Sequence, residues 1–200
     1  MLDKLKKYDE RFDFMPIYYD YVFEYIFLCD KDVLIDYLIT ILKLDLNKND
    51  ANVEFFKFDQ FSSYIKKYKN TGVIVTLSDT LNVGLSSKSG KDIVNIKNIP
   101  LYYLTYDKDT DDMYEDVFVL YSDISNSVYL NSPNWVVKYL KKYYNDYCNG
   151  KRNKETCFMA ALFSKSFTEF YEILINVLNK KQVSNLINRL IKMYENILGA

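Results

Sequence analysis

The sequence contains no histidine among its 200 residues, and this absence excludes more chemistry than any other feature of the composition. Catalysis by Ser-His-Asp or Cys-His groups and zinc sites with imidazole ligands all need that ring. Carboxylate, lysine, tyrosine and cysteine chemistry remain. Three cysteines without CxxC spacing, Cys29, Cys148 and Cys157, predict neither a disulfide framework nor a zinc knuckle and are typical of reduced thiols.

Long apolar runs are also missing. No stretch approaches the roughly eighteen uncharged apolar residues that a membrane-spanning helix needs, and residues 1–11 are charged throughout. The sequence therefore predicts a cytoplasmic protein that does not interact with membranes. Apolar residues make up 49% of the chain and charged residues 26%, so we expect residues 1–200 to fold as a single domain with a substantial core.

Positive charge is concentrated in the C-terminal third. Residues 1–130 carry 15 Lys and Arg against 22 Asp and Glu, whereas residues 131–200 carry 11 against 5. A polyanionic partner is therefore expected to contact residues 131–200. Solvated helix faces without a partner produce the same charge pattern, so that interpretation stays open.

Two helical patterns occupy the start of the chain. Ile17 and Tyr21 follow Pro16, which suits a first helical turn, and apolar residues recur at three- and four-residue spacing over residues 33–42. Asp30 is placed to cap the second helix. Because only a few residues join the two helices, the pattern predicts a helix hairpin.

Between residues 53 and 130 the pattern changes to short runs of β-branched and aromatic residues, separated by Gly, Asn, Asp and Ser. These runs are Val53–Phe58, Gly72–Leu77, Asp92–Ile99, Leu101–Tyr106 and Asp116–Tyr121. They predict a small mixed β-sheet.

The helical period returns from residue 132. Ser132 and Pro133 predict a helix start, Asn149-Gly150 predicts its end, and two more helices are expected near 156–178 and 181–198. The predicted fold class is therefore α+β. The helix hairpin and the sheet occupy residues 1–130, and a basic helical part occupies residues 131–200.

Two stretches of the sequence carry a resemblance to a known family. Residues 20–27 and 32–42 are similar to an opening helix pair of the form D-x-x-F-K-x-I-F and L-L-x-x-F-L-N-x-I-L. Asn82-Val83-Gly84, Gly90-Lys91 and Asn95-Ile96-Lys97 are similar to a D-V-x-A, G-K, N-I-E-x-Q segment. Together they resemble the recombination-promoting nuclease / putative transposase family of the PD-(D/E)XK superfamily. The resemblance implies a restriction-endonuclease-like sheet with Mg²⁺-binding carboxylates on adjacent strands.

The sequence departs from that family at the metal site. Asn82 and Lys97 stand where the family has its two carboxylates, and an amide binds Mg²⁺ weakly while an ammonium repels it. A shifted register keeps Asp79 as the metal ligand and Lys97 as the catalytic lysine, with one carboxylate instead of two. The resemblance therefore implies a degenerate, inactive nuclease without a cofactor, which would use Mg²⁺ only if it were active.

Five cations of the C-terminal part are the candidate nucleic-acid-binding residues, and they interleave with tyrosines. They are Lys138, Lys141, Lys142, Lys151 and Arg152. Basic groups beside exposed aromatics can contact phosphates and stack on single-stranded bases. An amphipathic helix with an aromatic core face and a solvated basic face shows the same pattern.

Three functional hypotheses follow. The leading one is an inactive relative of mobile-element nucleases that retains nucleic-acid or protein binding through residues 131–200. The alternative is a viral or mobile-element interaction protein that binds a protein partner and has no nuclease ancestry. The third is an active Mg²⁺-dependent DNA endonuclease that uses Asp79 and Lys97. Nothing in the sequence indicates the oligomeric state.

Overall fold

The structure is a computed structural model of the 200-residue chain. Side chains are described mainly in the helical segments at the two ends of the chain. The residues whose backbone is described are 1–18, 20–27, 30–45, 47–50, 54–57, 73–78, 81–85, 102–107, 113–118, 121–122, 127–128 and 134–198.

The described residues include seven α-helices and one short 3-10 helix, Lys48–Asp50. The α-helices are α1 Leu2–Arg11, α2 Asp20–Phe27, α3 Lys31–Leu42, α4 Leu140–Cys148, α5 Lys154–Leu162, α6 Phe167–Leu174 and α7 Lys180–Leu198. In this part of the chain, none of them has both the length and the apolar character needed to cross a bilayer.

The helices belong to a unit that joins the two ends of the chain. This helical unit comprises Met1–Lys48 and Leu140–Ala200, and the second unit is Asn49–Tyr139. The sequence predicts a different arrangement, a single domain divided near residue 130. The helical unit forms because α1 packs on α6, α2 on α7 and α3 on α5, so that each N-terminal helix covers an apolar face of a C-terminal one.

Local signals account for the ends of several helices. The Asp30 carboxylate accepts a hydrogen bond from the Val33 N–H at 3.1 Å, so the predicted cap of α3 is confirmed. Gly150 has φ +93°, a conformation that glycine adopts without strain, and it ends α4 where the sequence predicts. The last helix, α7, begins within one residue of its predicted start.

Aromatic side chains form the core of the helical unit. Phe23 and Phe27 of α2 contact Tyr37 of α3, and Tyr37 meets Phe158 of α5 edge to face at 5.6 Å between ring centroids. All four are buried. On α7, the Tyr194 hydroxyl accepts a hydrogen bond from the Met15 N–H and donates one to the Asp13 carbonyl at 3.2 Å. The abundant tyrosine and phenylalanine therefore serve as packing residues here.

The predicted α+β class is wrong for this packed core. Among the residues whose side chains the structure describes, 69% are helical and 4% lie in strands. Among the side chains that the structure describes, nearly all of the buried apolar ones belong to the seven helices. The core of the helical unit is built by helix-on-helix packing.

Strand backbone is described in the second unit. The strands are β1 Glu54–Lys57, β2 Val73–Ser78, β3 Leu81–Leu85, β4 Tyr102–Asp107, β5 Glu115–Phe118, β6 Tyr121–Ser122, β7 Ser127–Val128 and β8 Asn134–Tyr139. Six of them pair in the order β1-β2-β3-β4-β8-β5, with parallel pairs at β3/β4 and β4/β8, and β6 pairs with β7. The predicted run Asp92–Ile99 lies outside the described residues.

One predicted helix begins later than expected. The pattern predicts a helix from Pro133, whereas residues Asn134–Tyr139 form β8 and α4 starts at Leu140. The segment from Trp135 to Tyr139 is rich in aromatic and β-branched residues, and β8 pairs with β4 on one side and β5 on the other. Backbone pairing on both edges overrides the helical spacing.

A second predicted helix is divided in two. The sequence predicts one helix over 156–178, but α5 ends at Leu162 and α6 begins at Phe167. Between them, the Ser166 hydroxyl accepts from the Glu169 N–H at 3.0 Å, and the Glu169 carboxylate accepts from the Lys165 N–H at 2.6 Å. The Ser166 side chain therefore caps the start of α6, and the Glu169 carboxylate binds the backbone just before the cap.

Candidate functional site

The two residues of the predicted nuclease site, Asp79 and Lys97, lie outside the described residues. Asn82, the residue in place of a family carboxylate, lies in β3, where its backbone pairs with Thr76 of β2. Within the described segments, no three carboxylates or cysteines are grouped closely enough to hold a metal ion. The predicted Mg²⁺ site therefore stays a prediction from the sequence.

Lys138, one of the five predicted nucleic-acid-binding residues, is completely buried. Its ammonium donates to the Glu115 carboxylate of the neighbouring strand β5, and the side chain of Glu115 is 30% exposed. A buried ammonium that is paired with a carboxylate cannot reach a phosphate without breaking the pair. Lys138 is therefore removed from the candidate binding surface, and the physical reason is that residue 138 lies in a strand rather than on a helix face.

Three other predicted residues come together at the end of α4. Lys142 and Lys151 both contact the Asp146 carboxylate, at 3.4 Å and 3.1 Å, so that one carboxylate pairs with two ammonium groups. Arg152 lies over the ring of Tyr147, with the guanidinium carbon 3.6 Å from the ring centroid, and it also donates to the Tyr147 carbonyl. We call these three cations the α4 basic cluster.

The fifth predicted residue, Lys141, is half-buried on α4. The nearby Lys154 is committed to another contact, because its ammonium lies 2.7 Å from the Asp36 carboxylate of α3. Exposed ion pairs of this kind contribute little to stability, typically below about 1 kcal/mol. The α4 region is thus basic in sequence, yet several of its cations have intramolecular partners.

Neither described cysteine has the surroundings of a nucleophile. Cys157 is buried, and this burial raises the pKa of its thiol above the ordinary value of 9.0. Cys148 is exposed at the end of α4.

A cleft between α7 and the α2–α3 junction is a feature that the sequence did not predict. It has a volume of about 400 Å³, within the range of small-molecule sites. Its lining residues are Tyr25, Asp30, Asn185, Asn188, Arg189 and Lys192. All of them belong to the helical unit, and we call this feature the α7 cleft.

The geometry of α7 places four of these residues on one side of the helix. Asn185, Asn188, Arg189 and Lys192 have the spacing i, i+3, i+4 and i+7, which puts them along a single stripe. The opposite stripe, which includes Leu186 and Leu190, is buried in the core. Burial of the apolar stripe therefore orients the amides and cations toward the cleft.

The two cations of the cleft differ from those near α4. Among the described residues, no carboxylate lies within 4.0 Å of Arg189 or Lys192. Asp30 lines the same cleft, with one oxygen held by the Val33 N–H. The cleft thus combines two cations, two carboxamides, a phenol and a carboxylate, a set of groups suited to binding a polar anion.

Sequence reasoning missed this site for an identifiable reason. The sequence predicts a helix near 181–198 without singling out its polar residues, and it identifies Asp30 only as a helix cap. The opposite walls of the cleft are about 160 residues apart in the chain, so only the packing of α2 on α7 brings them together. Comparison with protein-family models, curated proteins and solved structures finds no match to this chain.

Proposed function

We propose that this protein acts by binding an anionic partner in the α7 cleft. The supporting observation is that Arg189 and Lys192 line a cavity of about 400 Å³. Among the described residues, no carboxylate lies within 4.0 Å of either cation. Cations grouped in a concave site attract anions, and nearby carboxamides add hydrogen-bond donors. The cleft therefore has the charge and the donors of an anion site.

Lysines elsewhere in the helical unit differ from the cations of the cleft, and the difference supports the same proposal. Lys142, Lys151 and Lys154 each have a carboxylate partner within 4.0 Å. An anion that binds to those lysines must compete with that partner, whereas an anion in the cleft meets no such competition from a described residue. The expected affinity for a small anion is therefore highest at α7.

Isothermal titration of the full chain with inorganic pyrophosphate tests the proposal. We expect saturable binding that falls about tenfold or more in Arg189→Gln and in Lys192→Gln, because each loses a charge-assisted hydrogen bond. The matched control is Lys180→Gln with Lys181→Gln, which removes two exposed cations of the same helix outside the cleft. Equal loss in the control, or no binding by the wild-type chain, would contradict the proposal.

Nucleic-acid binding through the C-terminal part is the second candidate function. The observation that favours it is the α4 basic cluster, in which Lys151 and Arg152 are exposed and follow Gly150 in a loop. Binding should weaken steeply with salt, and neutralising each phosphate contact should reduce the salt slope by about 0.7 to 0.9. Fluorescence anisotropy of a labelled oligonucleotide checks this in Lys142→Gln/Lys151→Gln/Arg152→Gln. A flat response at the lowest salt would remove this candidate.

The descent from PD-(D/E)XK nucleases, the cytoplasmic location and the protein-partner alternative remain predictions. The substitutions at Asn82 and Lys97 support an inactive nuclease, since neither residue supplies a carboxylate. Incubation of plasmid DNA with Mg²⁺ or Mn²⁺ should leave it uncut. Nicking that disappears in Asp79→Ala would instead support the active-endonuclease hypothesis.

A further inference from the structure

The α7 cleft has one feature that a simple phosphate or sulfate site does not need, a carboxylate. Asp30 lines the cleft together with Arg189 and Lys192, and neither cation lies within 4.0 Å of it. A carboxylate in an anion site lowers the affinity for a plain anion by charge repulsion. Asp30 caps α3, and because it also lines the cleft it offers an acceptor to a ligand that carries a hydrogen-bond donor or a positive charge.

Asp30 retains acceptor capacity for such a ligand. One carboxylate oxygen, Oδ1, accepts from the Val33 N–H at 3.1 Å and fixes the side chain at the start of α3. The described structure shows no hydrogen bond to the other oxygen, Oδ2. A carboxylate has about four acceptor positions, so the cap leaves room for a donor from a ligand.

The anionic part of the ligand is recognised on α7. Arg189 presents a planar fork of donors that matches a phosphate, and Lys192 adds a point charge one helical turn away. Asn185 and Asn188 supply two carboxamides along the same stripe. A phosphate group has several oxygens and up to two negative charges, so it can engage this set more completely than a carboxylate can.

We propose that the ligand of the α7 cleft is a phosphate ester that also carries an amine, with the phosphate at Arg189 and Lys192 and the amine at Asp30. This inference rests on the proposed function, because it assigns the ligand class of the same cleft. Asp30 is then the residue that selects among phosphate esters.

Two matched probes test the selectivity. O-phosphoethanolamine carries both groups, and ethyl phosphate lacks only the amine. In isothermal titration of the full chain we expect phosphoethanolamine to bind about tenfold more tightly, as a charge-assisted hydrogen bond implies. Arg189→Gln should weaken the binding of both probes by a similar factor.

The variant Asp30→Asn separates recognition from folding. Asparagine caps helices about as well as aspartate, so α3 should be retained, and far-UV circular dichroism checks this. The variant should bind phosphoethanolamine no more tightly than ethyl phosphate, while its affinity for ethyl phosphate should stay equal or increase. If the wild-type chain binds both probes equally, the inference is wrong and the proposed anion site stands. If it binds neither probe nor pyrophosphate, both are wrong.

Vesicle sedimentation identifies the source of the ligand. A phosphate ester with an amine occurs as a free metabolite and as the headgroup of phosphatidylethanolamine. If the chain sediments with phosphatidylcholine vesicles that contain phosphatidylethanolamine, and Lys192→Gln does not, the lipid headgroup is the ligand. Binding of free phosphoethanolamine without sedimentation would assign a soluble ester, and either result supports the ligand class.

Discussion

The two basic segments of the helical unit, the α4 basic cluster and the cleft face of α7, carry the same residue types in different circumstances. Lys142 and Lys151 share the Asp146 carboxylate, and Arg152 stacks on Tyr147. Arg189 and Lys192 instead line a cavity. Charge in the sequence therefore does not identify a binding site until the partners of each cation are known.

Lys138 is a fully buried cation with a carboxylate partner. Removing that partner should lower the free energy of unfolding more than any other change proposed here. Glu115→Ala leaves the buried ammonium without this carboxylate, so the free energy of unfolding should fall by about 2 to 3 kcal/mol. Urea unfolding monitored by Trp135, the single tryptophan, which belongs to the same strand β8, measures the loss. Adding Lys138→Met should restore most of the stability. No loss in the single variant would show that the pair is not coupled to folding.

Two carboxylates of α1, Asp9 and Glu10, also differ in whether they have a partner, and the expected difference in stability is smaller. Asp9 accepts from the Phe167 and Thr168 N–H groups at 2.6 Å and 3.1 Å, so it caps α6 from a distant part of the chain. Asp9→Ala should lower the free energy of unfolding by about 1 to 2 kcal/mol. Glu10→Ala, at an exposed position of the same helix, should change it by less than about 0.5 kcal/mol. Similar losses in both variants would contradict this role of Asp9.

Removing the Asp146 carboxylate should make the cations of the α4 basic cluster more available to an anion, as the cations of the α7 cleft are. Asp146→Asn deprives Lys142 and Lys151 of their shared partner, at a cost in stability below about 1 kcal/mol. Affinity for a labelled oligonucleotide at low salt should rise by up to about fivefold, the equivalent of one such pair. Glu10→Gln makes the same charge change at an exposed site on α1. Equal increases in both variants would show that net charge alone is responsible.

The smallest effect concerns the stability at high pH. Burial, and then the hydrogen bond to the Glu169 carboxylate, raise the pKa of Tyr144 well above 10.0. Its stabilising contribution is therefore fully present below pH 10 and is lost above it, because the unfolded chain releases the proton first. Chemical denaturation between pH 8 and pH 11 should give a shallower decline in Tyr144→Phe than in the wild-type chain. Parallel curves would contradict the assignment.

Local sequence signals predicted the features that depend on neighbouring residues. Asp30 caps α3, Gly150 ends α4, and α7 starts near its predicted position, because each depends on a hydrogen bond or a backbone conformation within a few residues. The first helix, α1, was overlooked because charge dominates residues 1–11. Its single buried residue is Leu5, so its apolar signal is weak.

Other features depended on residues far apart in the chain. The strand β8 replaced a predicted helix because β4 and β5 pair with it, and Lys138 consequently became buried beside Glu115. The helical unit joins both ends of the chain, a division that no composition change near residue 130 indicates. Strand pairing thus buried Lys138, whereas the predicted α+β class is wrong because helices from both ends of the chain pack into one core.

By itself, the sequence excluded imidazole chemistry and determined where the positive charge lies and where several helices are capped. Only the tertiary structure decided which cations have carboxylate partners and which line a cavity. The physical reason is the distance along the chain between the residues that must come together. A cap or a helical stripe is set by residues within one or two turns, whereas an ion pair or a cleft needs side chains from distant segments. In the α7 cleft, Asp30 and Lys192 line the same cavity because α2 packs on α7.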